Sequence, residues 1–189
     1  MFSGKTEELI RRLKRARIAR QQVEIFKPAL DNRFAERAIV SHDENAIPSI
    51  VVDTADQILL LAGDARVIGV DEGQFFGNEL VGVCQILARQ GRRVIIAGLD
   101  QDYRGEPFEP IPQLMAVAEF VTKLHAICVV CGGPANHSQR VTEQEDRVLV
   151  GAKEAYEPRC RLHFTPPARR AESIPERQRG AKKVPAEQP

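Results

Sequence analysis

The chain has 189 residues and a mass of 21.1 kDa, enough for one core domain with a small appendage and too little for two large domains. Apolar residues make up 43%, so a real core can form and global disorder is excluded. Lys and Arg number 27 against 26 Asp and Glu, and the resulting charge of +1 argues against a dedicated nucleic-acid-coating protein.

Met1 to Thr6 carries no apolar leader, and no apolar run approaches the ~18 residues a membrane helix needs. The expectation is a cytoplasmic protein with no membrane partner. Residues 7–21 read as a helix, with Leu9, Ile10, Leu13, Ala16 and Ile18 as a sparse apolar stripe. Its many bases invite a nucleic-acid reading. Acids in the first turn and bases toward the end suit the helix dipole, so an ordinary solvated face is favoured. Val23–Phe26 and Ser49–Val52 read as strands, and a short helix runs through 57–60. Val67–Val70 is a buried strand, 78–90 a helix closed by Gly91, and 93–98 a second buried strand. This alternation predicts an α/β fold: a mostly parallel sheet with crossover helices.

A loop rich in Pro and Gly follows over 100–112, then a helix through Phe120. From 123 to 165 the pattern changes to short strands, Gly132-Gly133-Pro134 turn chemistry and cysteines, the mark of a small β-rich unit. Residues 166–189 scatter prolines among charges and read as a disordered tail. The expected division is therefore 1–122, 123–165 and 166–189.

Three constellations carry chemistry. Gly4-Lys5-Thr6 opening a helix is the second half of a phosphate-binding loop, whose amides, ammonium and hydroxyl meet phosphates and Mg²⁺. Alone the tripeptide is a weak signal, and its first glycine and feeding strand would precede Met1. The reading therefore expects a natural chain longer by ~10 residues, with the loop lysine on a frayed end in the sequence as it stands. The second constellation supports the first. Val67–Val70 runs straight into Asp71-Glu72, and an acid at the end of a buried strand is the Mg²⁺ partner such a loop needs. Glu72 then falls beside the γ-phosphate, where a carboxylate accepts a proton from an attacking hydroxyl.

The third constellation is Cys128-x-x-Cys131 with Cys160-x-x-His163, the ligand set of a closed, structural zinc site. A redox pair is disfavoured because no helix signal follows Cys131. Cys84 sits mid-helix and reads as core. His42, His125 and His137 read as structural or exposed.

These residues resemble the cytosolic, zinc-containing (type II) thymidine kinases. The matching stretches are 1–6, Lys27-Pro28 with Asp31 and Arg33, 71–76, Gly98-Leu99-Asp100 through Tyr103 to Phe108, Cys128–Cys131, Gly151 with Tyr156, and Cys160–His163. The resemblance covers residues 1 to about 165 and implies a phosphate-binding-loop NTPase-like kinase domain with a zinc-binding lasso domain. It implies that Ser3, Gly4, Lys5 and Thr6 cradle the ATP phosphates and that Arg33 steadies them. Thr6, Asp31 and Asp71 serve Mg²⁺. Glu72 is the general base on the thymidine 5′-hydroxyl. Phe75, Tyr103 and Phe108 wall the nucleoside pocket, Met1 and Ser138 meet the thymine methyl, and Tyr156 packs beside a loop near 140–151 that closes over the base. It further implies a homotetramer, feedback by dTTP, and deoxyuridine as a second acceptor. The competing reading is a nucleic-acid-dependent ATPase with a zinc ribbon. It is weakened by the acids that nearly match the bases between Lys123 and His163.

Overall fold

The structure, a computed structural model, describes residues 1–29, 38–40, 46–142 and 155–167. The first helix, α1, spans Lys5–Ile18 and buries Leu9, Ile10, Leu13 and Ala16 on one face. It begins two residues earlier than the apolar stripe suggested, because Gly4 in a left-handed conformation (φ 74°) starts the helix. Ile18 is 82% exposed and does not belong to the stripe: five residues past Leu13, it has rotated off the buried face. On the outer face Glu8 pairs with Arg11 and Arg12 at 2.6 and 2.7 Å, consistent with a solvated surface.

Strand β1 (Val23–Pro28) follows, then β2 (Ala38–Val40) and β3 (Ala46–Pro48), which pair antiparallel. That hairpin had no sequence signal strong enough to predict it. β4 (Ile50–Val52), α2 (Asp56–Leu61), β5 (Val67–Val70), α3 (Glu79–Arg89) and β6 (Arg93–Ile96) complete the α/β alternation. Gly91 (φ 74°) ends α3 as expected, its N–H reaching the Ala88 carbonyl at 2.9 Å. β6 stops at Ile96, short of Gly98.

The strands pair in parallel in the order β4-β1-β5-β6. β5 is flanked on both sides, and all four of its residues are buried. The pairing is continuous from β4 to β6, so no slot opens inside the described sheet. The core divides across the sheet. Phe26, Ile58, Ile68, Leu80 and Leu87 pack on one face with α2 and α3, and Leu9, Ile10, Leu13 and Ile25 on the other with α1. Gly69 lets α1 come close: a Cβ there would lie 2.8 Å from a Leu13 methyl. This approach brings the start of α1 to the end of β5.

Helix α4 is Ile111–Val117 and does not continue to Phe120, because Ala118 turns extended (ψ 139°). The last described region holds two antiparallel hairpins. β7 (Ala126–Ile127) pairs with β8 (Pro134–Ala135), and β9 (His137–Arg140) with β10 (Tyr156–Arg159). The expected tail from 168 onward, His42, Asp31, Arg33 and residues 143–154 lie outside the described residues. Among the described residues no helix is long and apolar enough to cross a membrane.

Candidate active site

The N-terminus of α1 and the end of β5 meet. The Thr6 hydroxyl donates to Asp71, with Oδ2 at 3.2 Å. Asp71 is 6% exposed and also accepts from the Glu72 backbone N–H at 3.0 Å. Burial, and next the charge of Glu72, push its carboxyl up to about 7. Lys5 and the Thr6 bond oppose that rise. A carboxylate this deep, beside a hydroxyl and an ammonium at a helix start, suits a hard divalent cation carrying phosphates. Ser3 is half-buried immediately before Gly4.

Glu72 leaves β5 in a left-handed backbone conformation, φ 50° and ψ 44°, where non-glycine residues are strained. A single 3₁₀ turn, Gly73–Phe75, follows it. Its carboxylate accepts from Gln74 Nε2 at 2.5 Å. The sequence reading gave Gln74 no role.

The expected nucleoside-wall residues fall into two groups. Phe75 and Phe108 form an edge-to-face pair with centroids 6.3 Å apart. Tyr103, Tyr156 and Ala155 form a second cluster, with Met1 and Phe2 packed against it. The Met1 amino group donates to the Ser138 hydroxyl at 2.9 Å, so these two residues also meet. Arg140, read from sequence only as the start of a loop, is a member of this cluster. Its guanidinium lies 3.6 Å from the Tyr103 centroid and donates to the Tyr156 hydroxyl at 2.6 Å. Arg140 and Tyr156 are direct cross-strand partners on β9 and β10. An aromatic residue as remote in sequence as Tyr103 is from Arg140 gives no local signal of such stacking.

Cys128, Cys131, Cys160 and His163 converge, their ligand atoms all within 4.8 Å of one another. Cys131 Sγ is 3.8 Å from Cys160 Sγ, and His163 Nδ1 lies 3.2 Å from Cys160 Sγ and 3.7 Å from Cys128 Sγ. Tetrahedral zinc with Zn–S bonds of about 2.3 Å sets its sulfurs about 3.8 Å apart, so the cluster is compatible with zinc. Burial raises the Cys128 thiol, but the backbone amides of Cys160, Val130 and Cys131 outweigh it and bring it down to about 5. A thiolate is the form a metal binds.

Cys84 is buried in α3, and burial pushes its thiol up to about 12. His137 is 6% exposed and stacks on Phe164 with centroids 4.4 Å apart. His125 is exposed beside Asn136.

The sequence model of the thymidine kinase family matches residues 1–164. The chain belongs to the thymidine kinase family. It is 68% identical to a thymidine kinase of Rhodothermus over 167 residues, 88% of this chain and 78% of that protein. A Bdellovibrio bacteriovorus thymidine kinase is 58% identical over 167 residues, covering 88% of this chain and 82% of the relative. One from Bacteroides thetaiotaomicron is 55% identical over 161 residues, 85% of this chain and 81% of the relative.

Proposed function

We propose that this protein transfers the γ-phosphoryl group of ATP to the 5′-hydroxyl of thymidine, and of deoxyuridine, giving the monophosphate for DNA synthesis. The observation that carries the reading is the 3.2 Å contact of Thr6 with Asp71, with Glu72 as the next residue, in a chain whose residues 1–164 this family matches. In such transfers the protein does little covalent work, and positioning with charge neutralisation dominates. The amides around Gly4 and the Lys5 ammonium hold the donor phosphates. Thr6 and Asp71 would hold Mg²⁺, and Asp31 would join them. When bound, the ion supplies charge neutralisation at the phosphate oxygens. Glu72 orients the 5′-hydroxyl and takes its proton as the new P–O bond forms. Arg33 steadies the migrating group. Phe75, Phe108, Tyr103 and Tyr156 wall the nucleoside, and Met1 and Ser138 lie at the 5-methyl group.

The same reading assigns residues 1–122 to a kinase domain, 123–165 to a zinc-holding lasso domain that closes over the base, and 166–189 to a tail. Zinc on Cys128, Cys131, Cys160 and His163 fills every position with protein, so its role is structural. A cytoplasmic homotetramer held back by dTTP completes the proposal.

The test is thymidine-dependent ADP release by the Glu72→Gln variant. The expected outcome is loss of turnover, with nucleoside binding kept within about threefold, since an interaction made only in the transition state is removed. A variant retaining more than about a tenth of wild-type turnover would falsify the assignment of Glu72 as base.

A further inference from the structure

Gln74 lies in the 3₁₀ turn after Glu72 and is 3% exposed. A buried primary amide must satisfy donors at one end and an acceptor at the other. Its Oε1 accepts the backbone N–H of Leu99 at 2.9 Å, and its Nε2 donates to Glu72 Oε2 at 2.5 Å. The partners fix which end is which. A backbone N–H only donates, so the carbonyl end must face Leu99 and the NH₂ end the carboxylate.

The surroundings leave this amide little freedom. Gly73 N–H donates to the Ala97 carbonyl at 2.9 Å, which ties the turn to the end of β6. A Cβ on Gly73 would lie 2.8 Å from Ile96 Cγ2. A Cβ on Gly98 would lie 2.5 Å from Ile111 Cδ1 and 3.1 Å from Gln74 Oε1. Two glycines thus make the room in which the amide spans the ends of β5 and β6.

We propose that Gln74 is a positioning residue for phosphoryl transfer: its amide clamps the Glu72 carboxylate and ties it to the backbone of the loop that leaves β6. The inference rests on the reading of Glu72 as the base. A glutamate on a turn has three rotatable side-chain bonds and samples several rotamers. With one oxygen held by a rigidly seated amide, the carboxylate stays in one orientation before substrate arrives. The ordering cost then falls on folding and not on the reaction step. The clamp also explains how the left-handed backbone at Glu72 persists, since bonds on both sides of it overdetermine the turn. Leu99 opens the segment that carries Asp100 and Tyr103, so one amide sets the base relative to a wall of the proposed nucleoside pocket.

Two variants of the full, metal-loaded chain test this, read by steady-state kinetics and by single-turnover transfer from ATP to thymidine. Gln74→Met keeps the volume and loses both hydrogen bonds. Gln74→Glu keeps the acceptor for Leu99 and sets a second carboxyl against Glu72, so the two share a proton and Glu72 no longer stands as a free base. Both are expected to lose about 30-fold or more in the single-turnover rate and in kcat, with KM for thymidine and ATP within about threefold. Rates within about twofold of wild type in both variants overturn the proposal. So does full activity in Gln74→Glu alone, which would leave support of Leu99 as the whole role. A KM that rises about tenfold or more with the fall in kcat makes Gln74 structural and also overturns it. Glu72→Gln is run beside them. An active Glu72→Gln removes both readings, whereas an inactive one alongside normal Gln74 variants removes this inference alone.

Discussion

Between residues 5 and 117 the chain takes Leu13, Phe26, Ile58, Ile68 and Leu80 wholly out of solvent. Between 126 and 163 the described buried non-polar side chains are Ala126, Ala135, Ala155 and Tyr156, with Cys128. The first region has a four-stranded parallel sheet with helices on both faces. The second has hairpins whose strands are two to four residues long. At about 25 cal/mol per Å² of apolar surface, large aliphatic side chains stabilise the sheet region without help, and alanines give the hairpins little. A region with so small a core needs a covalent or metal cross-link to hold its shape. The placement of the four ligands answers that need. Cys128 and Cys131 lie in the turn between β7 and β8, and Cys160 and His163 follow β10, so one ion held by all four would join both hairpins.

The largest expected effect attacks that difference directly. Structural zinc contributes on the order of 10 kcal/mol of apparent binding free energy. Removing the metal with a chelator, or making Cys128→Ser, should strip hydrogen-exchange protection from β7 to β10 while β1 and β5 keep theirs. Equal loss of protection in both regions, or a purified protein without zinc, would sink the contrast.

The converse experiment targets the sheet. Leu13 is fully buried where α1 crosses Gly69, and Leu13→Ala should cost about 2–5 kcal/mol. Urea unfolding followed by far-UV circular dichroism measures the cost, and the zinc content of the folded variant should remain one per chain. If metal is lost before the sheet unfolds, the two regions are not independent in the way their cores suggest.

The smallest effect concerns Asp71, the buried acid at the end of β5. The Asp71 carboxyl is raised in the fold from an ordinary 3.8 to about 7. Its proton-linked contribution to stability is therefore fully present below 3.8 and is lost as pH rises through about 7. Above that pH the metal-free protein carries a buried charge, so Asp71→Asn should stabilise the metal-free form by on the order of 2 kcal/mol at pH 8 and by less at pH 5. Thermal melts at both values, without added divalent cation, check the sign. The same variant should lose kinase activity. An Asn variant that melts lower than wild type at pH 8 refutes the account.

The sequence alone determined the features that depend on local pattern. Val67–Val70 had to be a buried strand because four apolar residues end abruptly at Asp71-Glu72. Gly4 and Gly91 marked helix ends because each adopts a backbone conformation that side chains disfavour. The cysteine pairs declared their ligand set by spacing. Tertiary structure decided what depends on partners remote in the chain. The strand order β4-β1-β5-β6 arises from parallel pairings between segments that no short window of sequence contains. Arg140 matters because Tyr103 and Tyr156 lie against it, and Gln74 because Leu99 and Glu72 take its two ends. A side chain's type states which bonds it can make, but only the fold brings the other half of each bond within 3 Å.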